Sequence, residues 1–363
     1  MDFTFTEDQL ALRDAIHKFL MVEAAPEMLR EIWETQTGRS AELRAKLADQ
    51  GLTALSVPEA YGGMGLGDLD WVLIQQELGY YAIPDSLAAT AYLAVHLLSG
   101  LATLASQGRG LPAGRELAEH WLPKVAAGNA RIAVGNGVNP FVADAANADL
   151  LLLGHDDEVH ALKPAQVQLE HQPSIDASRR LYKLSWTPSE FTRVCDARQG
   201  QPLWLGLLDR AGVAIAAQLL GLAQRMLDLG TDYAAQRKQF GKPIGSFQAV
   251  KHHLADVTVK IEFARPVVQR AAHSLATNHP LASVHVSQAR LAAGEAARLA
   301  ARKSIQVHGA MGYTWEADLQ MFMKRAWALD SAWGDAIFHK ARVAHALFAD
   351  GALLGPDATF ASH

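Results

Sequence analysis

The chain has 363 residues, half of them hydrophobic and a fifth charged. That composition suits one large domain or two to three packed ones and excludes general disorder. A formal net charge of −5 supplies no basic footprint for nucleic acid, and a single cysteine, Cys195, excludes an intramolecular disulfide and a cysteine-based zinc site.

The first eight residues, Met1 to Asp8, show no basic region followed by an apolar run, so no secretory leader is expected. The most apolar stretches, such as 213–222, stop short of the roughly 20 residues that span a bilayer. The expectation is a cytoplasmic protein that contacts neither membrane nor nucleic acid.

Thr6 precedes Gln9 at capping-box spacing, and Leu10, Leu12, Ile16, Phe19 and Leu20 then recur on one helical face. A second helix is expected over 41–50, ending at Gly51, and another from Asp68 or Asp70 to Gly79. The Gly/Ser-rich stretch 104–114 reads as an exposed loop. From 130 to 192 short apolar runs (Ile132-Ala133-Val134, Leu150-Leu151-Leu152-Leu153, Val159-His160-Ala161-Leu162) alternate with Gly, Asn, Asp and Pro, as in a small β-domain. Helical periodicity returns at Leu203. Four long antiparallel helices are predicted, over 209–237, 247–275, 282–308 and 318–350, with Ser246 capping the second. The predicted organisation is mainly α with a small central β-domain. It comprises an N-terminal helical domain (1–128), a β-barrel or sandwich (129–202) and a C-terminal four-helix bundle (203–363).

Several segments carry a resemblance. Val57-Pro58-Glu59-Ala60-Tyr61-Gly62-Gly63 with Gly65-Leu66-Gly67, Trp121-Leu122-Pro123-Lys124-Val125-Ala126-Ala127-Gly128, the run Arg237 to Gln248, and Gln306-Val307-His308-Gly309-Ala310-Met311-Gly312-Tyr313 are similar, in this order, to segments of flavin-dependent acyl-CoA dehydrogenases. Arg237 ends a helix before a Gly/Pro turn, where a guanidinium can meet a pyrophosphate in bidentate fashion or answer the helix dipole. Gly309 and Gly312 flank a helix end, where a ligand or another backbone can come close, or they only cap it.

The resemblance implies FAD as cofactor and an acyl-CoA as substrate, desaturated between Cα and Cβ, with electrons passing to an acceptor like an electron-transfer flavoprotein. It assigns the nucleotide half of FAD to Arg237, Gln239, Phe240, Phe247, Gln248, Gln306, Gly309 and Ala310. The family base is usually a Glu before a Gly in the last helical region, where this chain has Trp333-Gly334. A minority of members take the base from the residue before an Arg in the first bundle helix, here Asp209-Arg210, with Arg210 supporting the site. Asp209 is alternatively the cap of that helix. The family's hydroxyl-rich flavin-ring segment corresponds to Val134-Gly135-Asn136-Gly137-Val138-Asn139-Pro140-Phe141, which has no Thr, Ser or acid. The chain therefore resembles the degenerate subunit of α2β2 acyl-CoA dehydrogenases of lipid or steroid side-chain catabolism. The alternatives are a self-sufficient homo-oligomer using Asp209, and a non-catalytic scaffold on the same fold. His252-His253 and His339 with His345 are not metal spacings and read as surface or interface histidines. The run 290–303 reads as an interface-facing helix surface.

Overall fold

The computed structural model describes residues 4–352; residues 1–3, at the start of the stretch searched for a leader, and 353–363, at the end of the expected bundle domain, lie outside the described residues. The N-terminal part consists of α1 (Glu7–Glu23), α2 (Pro26–Glu34), α3 (Ala41–Asp49), α4 (Asp68–Tyr80), α5 (Val95–Ser106) and α6 (Pro112–Ala126). A wider π turn, Ala88–Ala94, leads into α5. The capping box at α1 forms as its spacing predicts: Gln9 N–H donates to Thr6 Oγ1 at 3.2 Å and Thr6 N–H to Gln9 Oε1 at 3.1 Å. Most of the stretch expected to be a loop over 104–114 is instead helix end and helix start, because Pro112 at the first helical position has its φ pre-set for the turn.

Seven strands follow: β1 (Ile132–Gly135), β2 (Phe141–Ala143), β3 (Leu150–His155), β4 (Glu158–Leu162), β5 (Gln168–Gln172), β6 (Leu181–Ser185) and β7 (Arg193–Cys195). They form two sheets, ordered β1-β3-β4-β7 and β2-β6-β5, with β1 and β3 parallel and the other pairs antiparallel. The unbroken leucine run of β3 follows from burial on both faces. Leu151 and Leu153 enter a small core with Val142 and Leu162 between the sheets, while Leu150 and Leu152 join the main helical core.

The bundle begins earlier than the periodicity suggests. Asp196 accepts from Gln199 N–H at 3.0 Å and caps α7 (Ala197–Gln236), a single helix of 40 residues. After it come a two-residue hairpin, β8 (Lys238–Gln239) and β9 (Lys242–Pro243), then α8 (Gln248–Ala276) and α9 (Ala282–His308). Phe247 is the residue flanking α8. Ser246 does not cap it; its hydroxyl donates to Pro243 O at 2.7 Å. The expected fourth long helix is two: α10 (Leu319–Asp330) and α11 (Ala336–Leu347), broken at 331–335.

Small residues set the helix spacing. A Cβ on Gly221 would lie 2.0 Å from Gln76 O, and one on Gly79 2.2 Å from Gln218 O, so α4 and α7 touch backbone to backbone. Ala289, Ala293, Ala296, Ala297, Ala300 and Ala301 bury the inner face of α9. The segment Ala88–Ser106 and helix α7 are long and apolar enough to cross a bilayer. They are core helices here, 56% and 78% buried over their most apolar windows.

Candidate functional site

A cavity of about 130 Å³ lies where the residues after α4, helix α7, the β-domain and the end of α10 meet. Leu87, Leu93, Ile215 and Leu329 form its apolar wall, and Trp333 closes one side. The rest of the wall is charged and, Arg179 aside, paired with carboxylates. Arg39 meets Asp144 at 2.7 Å, and Arg44, just behind, meets Asp85 at 2.6 Å. Arg325 binds Asp176 and the Ser178 hydroxyl, and also donates to Ile83 O at 3.0 Å. Burial pushes the Asp176 carboxyl up, but Arg325 and Ser178 outweigh it and hold the group below the usual carboxylate range. Arg179 donates to Ala328 O at 2.6 Å, and burial lowers its guanidinium to about 10. None of these arginines was singled out from sequence. Each is one charge in an otherwise ordinary stretch, paired with a residue many positions away.

Trp333 and the flavin-ring segment meet in this wall. Trp333 has φ +54° and Gly334 φ +95°, so the chain turns through the left-handed region between α10 and α11. Arg290 braces the turn by donating to the carbonyls of Asp330 at 3.0 Å, Ala332 at 3.2 Å and Gly334 at 3.0 Å. It is buried, so the start of the 290–303 run is core and not interface surface. His339 is likewise buried, against Ser287 Oγ at 3.2 Å, which corrects its reading as a surface histidine. The Trp333 N–H donates to Asn139 Oδ1 at 3.4 Å. Asn139 belongs to a tight turn in which its own N–H donates to Asn136 O at 3.0 Å. The segment 134–141 and the Trp333-Gly334 turn, both singled out from sequence, are thus joined by a hydrogen bond.

Asp209 lies about three turns inside α7, so it does not cap the helix. Its Oδ1 accepts from Arg342 Nη2 at 2.7 Å and its Oδ2 from Ser283 Oγ at 2.5 Å. Both partners belong to the α9 and α11 side, and α7 lines the cavity with Ala211, Ala214, Ile215 and Gln218 instead. Arg210 grips Asp68 with two nitrogens, at 3.0 and 3.1 Å, and the Tyr92 hydroxyl donates to the same carboxylate at 2.5 Å. Burial first and Asp68 second push the Tyr92 phenol well up. Beside them His96 is lowered to about 3 by burial and then by the Arg210 charge. Asp209 and Arg210, adjacent in sequence, serve two separate networks.

The residues assigned to the nucleotide half gather at one end of the bundle. Tyr233, a turn before Arg237, stacks on His308 of α9 with ring centroids 4.3 Å apart and planes 19° from parallel. That stack joins the Arg237–Gln248 stretch to the Gln306–Ala310 turn. Arg237 O accepts from Ile244 N–H at 2.8 Å, folding the hairpin back on the helix end. Phe240 and Gly241 take φ +52° and +76° at its tip, and Phe240 is 91% exposed. Phe247 meets it edge-on at 6.1 Å, with the Lys242 ammonium 4.5 Å above the Phe247 ring. Arg237, Gln239, Gln248, Gln306, Gly309 and Ala310 are all exposed.

Two family models match the chain: "Acyl-CoA dehydrogenase, N-terminal domain" over residues 6–129 and "Acyl-CoA dehydrogenase, C-terminal domain" over 198–348. The chain is 33% identical to the acyl-CoA dehydrogenase IpdE2 of Mycolicibacterium smegmatis over 322 residues, covering 88% of this chain and 93% of that protein. It is 32% identical to IpdE2 of Mycobacterium tuberculosis, covering 88% and 91%. Among solved structures it resembles the ChsE4-ChsE5 complex of Mycobacterium tuberculosis, with TM-score 0.80 and 24% identity over 96% of this chain and 99% of that one. Butyryl-CoA dehydrogenase of Megasphaera elsdenii gives TM-score 0.79 at 22% identity, over 96% and 100%. These last two similarities are likenesses of fold.

Proposed function

Because the chain belongs to the acyl-CoA dehydrogenase family, we propose that it is one subunit of a heteromeric acyl-CoA dehydrogenase, lending contacts to an FAD whose ring sits on its partner and carrying no working base itself. The observation that carries this reading is the hydrogen bond between Trp333 and Asn139, which joins the two places where the family's base and ring contacts would be.

The two halves of FAD fit this chain unequally. For the dinucleotide end, the exposed Arg237, Gln239, Phe240, Gln248 and the Gln306–Ala310 turn offer a guanidinium, amides and an aromatic face on a surface a neighbour can reach. Phe247 supports Phe240 from below. The ring does not fit. The segment 134–141 provides no hydroxyl or acid, and the adjoining wall is filled by Trp333 and by buried arginine–aspartate pairs. Asp209, whose two oxygens are taken by Arg342 and Ser283, supports the same reading by facing away from the cavity.

The acyl-CoA would then be desaturated at the partner's flavin and base, with an electron-transfer flavoprotein-like protein as acceptor. A steroid-derived acyl group is the substrate class in keeping with the resemblance, and one further fold relative, Tcur3481-Tcur3483, is a steroid acyl-CoA dehydrogenase.

The test is the absorbance spectrum of the chain purified alone and with its partner. The chain alone is expected to be colourless in the flavin region, and the mixed complex to carry one flavin per pair of chains. A yellow homo-oligomer with one FAD per chain would overturn the proposal in favour of a self-sufficient enzyme. A flavin-free complex would leave only a scaffold.

A further inference from the structure

We infer that the cavity beside Trp333 binds a short monocarboxylate, held by the Arg179 guanidinium and the Ser86 hydroxyl. The inference concerns the cavity of this chain itself and stands whether or not the chain seats a flavin.

The charges of the wall set the ligand's charge. Arg39 is matched by Asp144, Arg325 by Asp176, and Arg44 by Asp85, each pair buried. Arg179 lines the same cavity and has no carboxylate within ion-pair distance among the described residues; its one acceptor is a backbone carbonyl. Arg179 is partly withdrawn from water without a paired carboxylate, which is costly, and a bound carboxylate answers that charge with bidentate geometry.

A second group points the same way. Ser86 lines the cavity, and its buried Oγ has no hydrogen-bond partner. Buried hydroxyls are ordinarily satisfied, so an unpaired one in a cavity wall is a donor left for a ligand.

The remaining lining is apolar, with Leu87, Leu93, Ile215, Leu329 and the Trp333 indole suited to an alkyl body. A volume of about 130 Å³ is well below the ~300–1,000 Å³ of pockets for drug-sized ligands, so the chain must be short. Asp85 and Asp144 each leave one oxygen without a hydrogen bond in this wall. They repel a second negative charge, which limits the ligand to one carboxylate, the number that Arg179 answers.

The test titrates the full-length chain with hexanoate, hexan-1-ol and adipate by calorimetry at fixed ionic strength. Hexanoate is expected to bind saturably, and the alcohol and the dicarboxylate at least ~10-fold more weakly, the loss expected for one charged hydrogen-bonded contact. Arg179→Gln should weaken hexanoate by a similar factor with its circular dichroism unchanged, and Ser86→Ala by a few-fold. Should Arg179→Gln not fold, Ala214→Phe, which fills the cavity from α7, is expected to abolish hexanoate binding. Equal binding of hexanoate and hexanol, or undiminished binding by either variant, would overturn the inference. Because the readout is heat from a carboxylate, its failure is distinct from any result of the flavin spectrum.

Discussion

Asp209 and Arg342 form an ion pair of 2.7 Å that ties the middle of α7 to α11, with Ser283 of α9 completing the triangle. The Asp209 side chain is 8% exposed and that of Arg342 18%, so the pair is largely screened from water. Its position makes it a clasp across the bundle.

Asp209→Asn should therefore act on stability. Asn keeps the shape but leaves the Arg342 charge unanswered, at a cost of about 1–3 kcal/mol. Arg342→Met should have a similar effect, and the double variant should cost less than the sum of the two. Urea midpoints of the three variants check this. Turnover of the assembled complex should change several-fold at most. A loss of ~10²–10⁴ in rate with unchanged stability would instead make Asp209 a general base.

Arg325→Met should be among the most damaging single substitutions in this chain. It removes the guanidinium that holds Asp176 and Ser178 and leaves a carboxylate with 0% side-chain exposure uncompensated. Losses on breaking such a pair run to about 3–5 kcal/mol. Asp176→Asn combined with Arg325→Met should recover part of that loss, because neither charge then remains. Thermal melts of the single and double variants test this order, and equal melting temperatures would contradict it.

The hairpin after α7 is legible locally. Arg237 stands before a Gly/Pro turn in which Gly241 takes a positive φ freely, while Phe240 takes one at some conformational cost. The start of α7 is not legible, because Gly200 and Pro202 both argue against helix. Gly200 is required there: a Cβ would meet Asp157 O at 2.0 Å. Pro202, exposed and already inside the helix, forgoes one i→i−4 hydrogen bond there. A helix expected only from 209 leaves Asp209 the alternative of being its cap, which the earlier start at Ala197 removes. The cavity wall was unreadable for another reason. Arg39 and Asp144, or Arg325 and Asp176, lie over a hundred positions apart and are matched only by the fold. The break at Trp333 was hidden by an apolar periodicity that continues through it, while Arg290, one helix away, holds the turn open.

Stability should fall on mild acidification. Burial, the largest cause in each case, lowers His96 and His339 to about 3 and His285 to about 4. Arg290 and Arg342 add to the effect at His339, Asp335 opposes it, and Arg270 adds to it at His285. Depressed histidines stay neutral in the native state while the unfolded chain takes up protons below about 6.5, so stability is full above that pH and drains as pH falls toward the native values. Each histidine contributes a slope of at most about 1.4 kcal/mol per pH unit within that window. Denaturation midpoints should be flat above about pH 7 and decline through pH 6 to 4, with a shallower decline in His339→Gln. A profile that stays flat to about pH 4 would contradict the assignment.

A carboxylate at position 333, where the sequence resemblance puts the family base, should not by itself make this chain a self-sufficient enzyme. Trp333 is 8% exposed and fills the wall of the cavity, so Trp333→Glu loses packing worth about 3–5 kcal/mol, whereas Trp333→Phe keeps much of it. The new carboxylate would share its wall with Arg39, Arg179 and Arg325, and pairing with Arg179 would pull its pKa down, away from the range a base needs. The turn around Asn139 still offers the flavin ring no hydroxyl, and the Trp333 N–H that anchors it belongs to the backbone, which the substitution leaves in place. The expected outcome has two parts. The folded variant takes up no flavin from added FAD, judged by absorbance after gel filtration. It also exchanges no Cα deuterium into butyryl-CoA in heavy water, a readout of the base that needs no flavin. Exchange without flavin uptake would mean that this chain lacks only its ring contacts and that position 333 still faces a thioester. Exchange with flavin uptake would mean that a single substitution separates this chain from an active one, and the partner would then be dispensable.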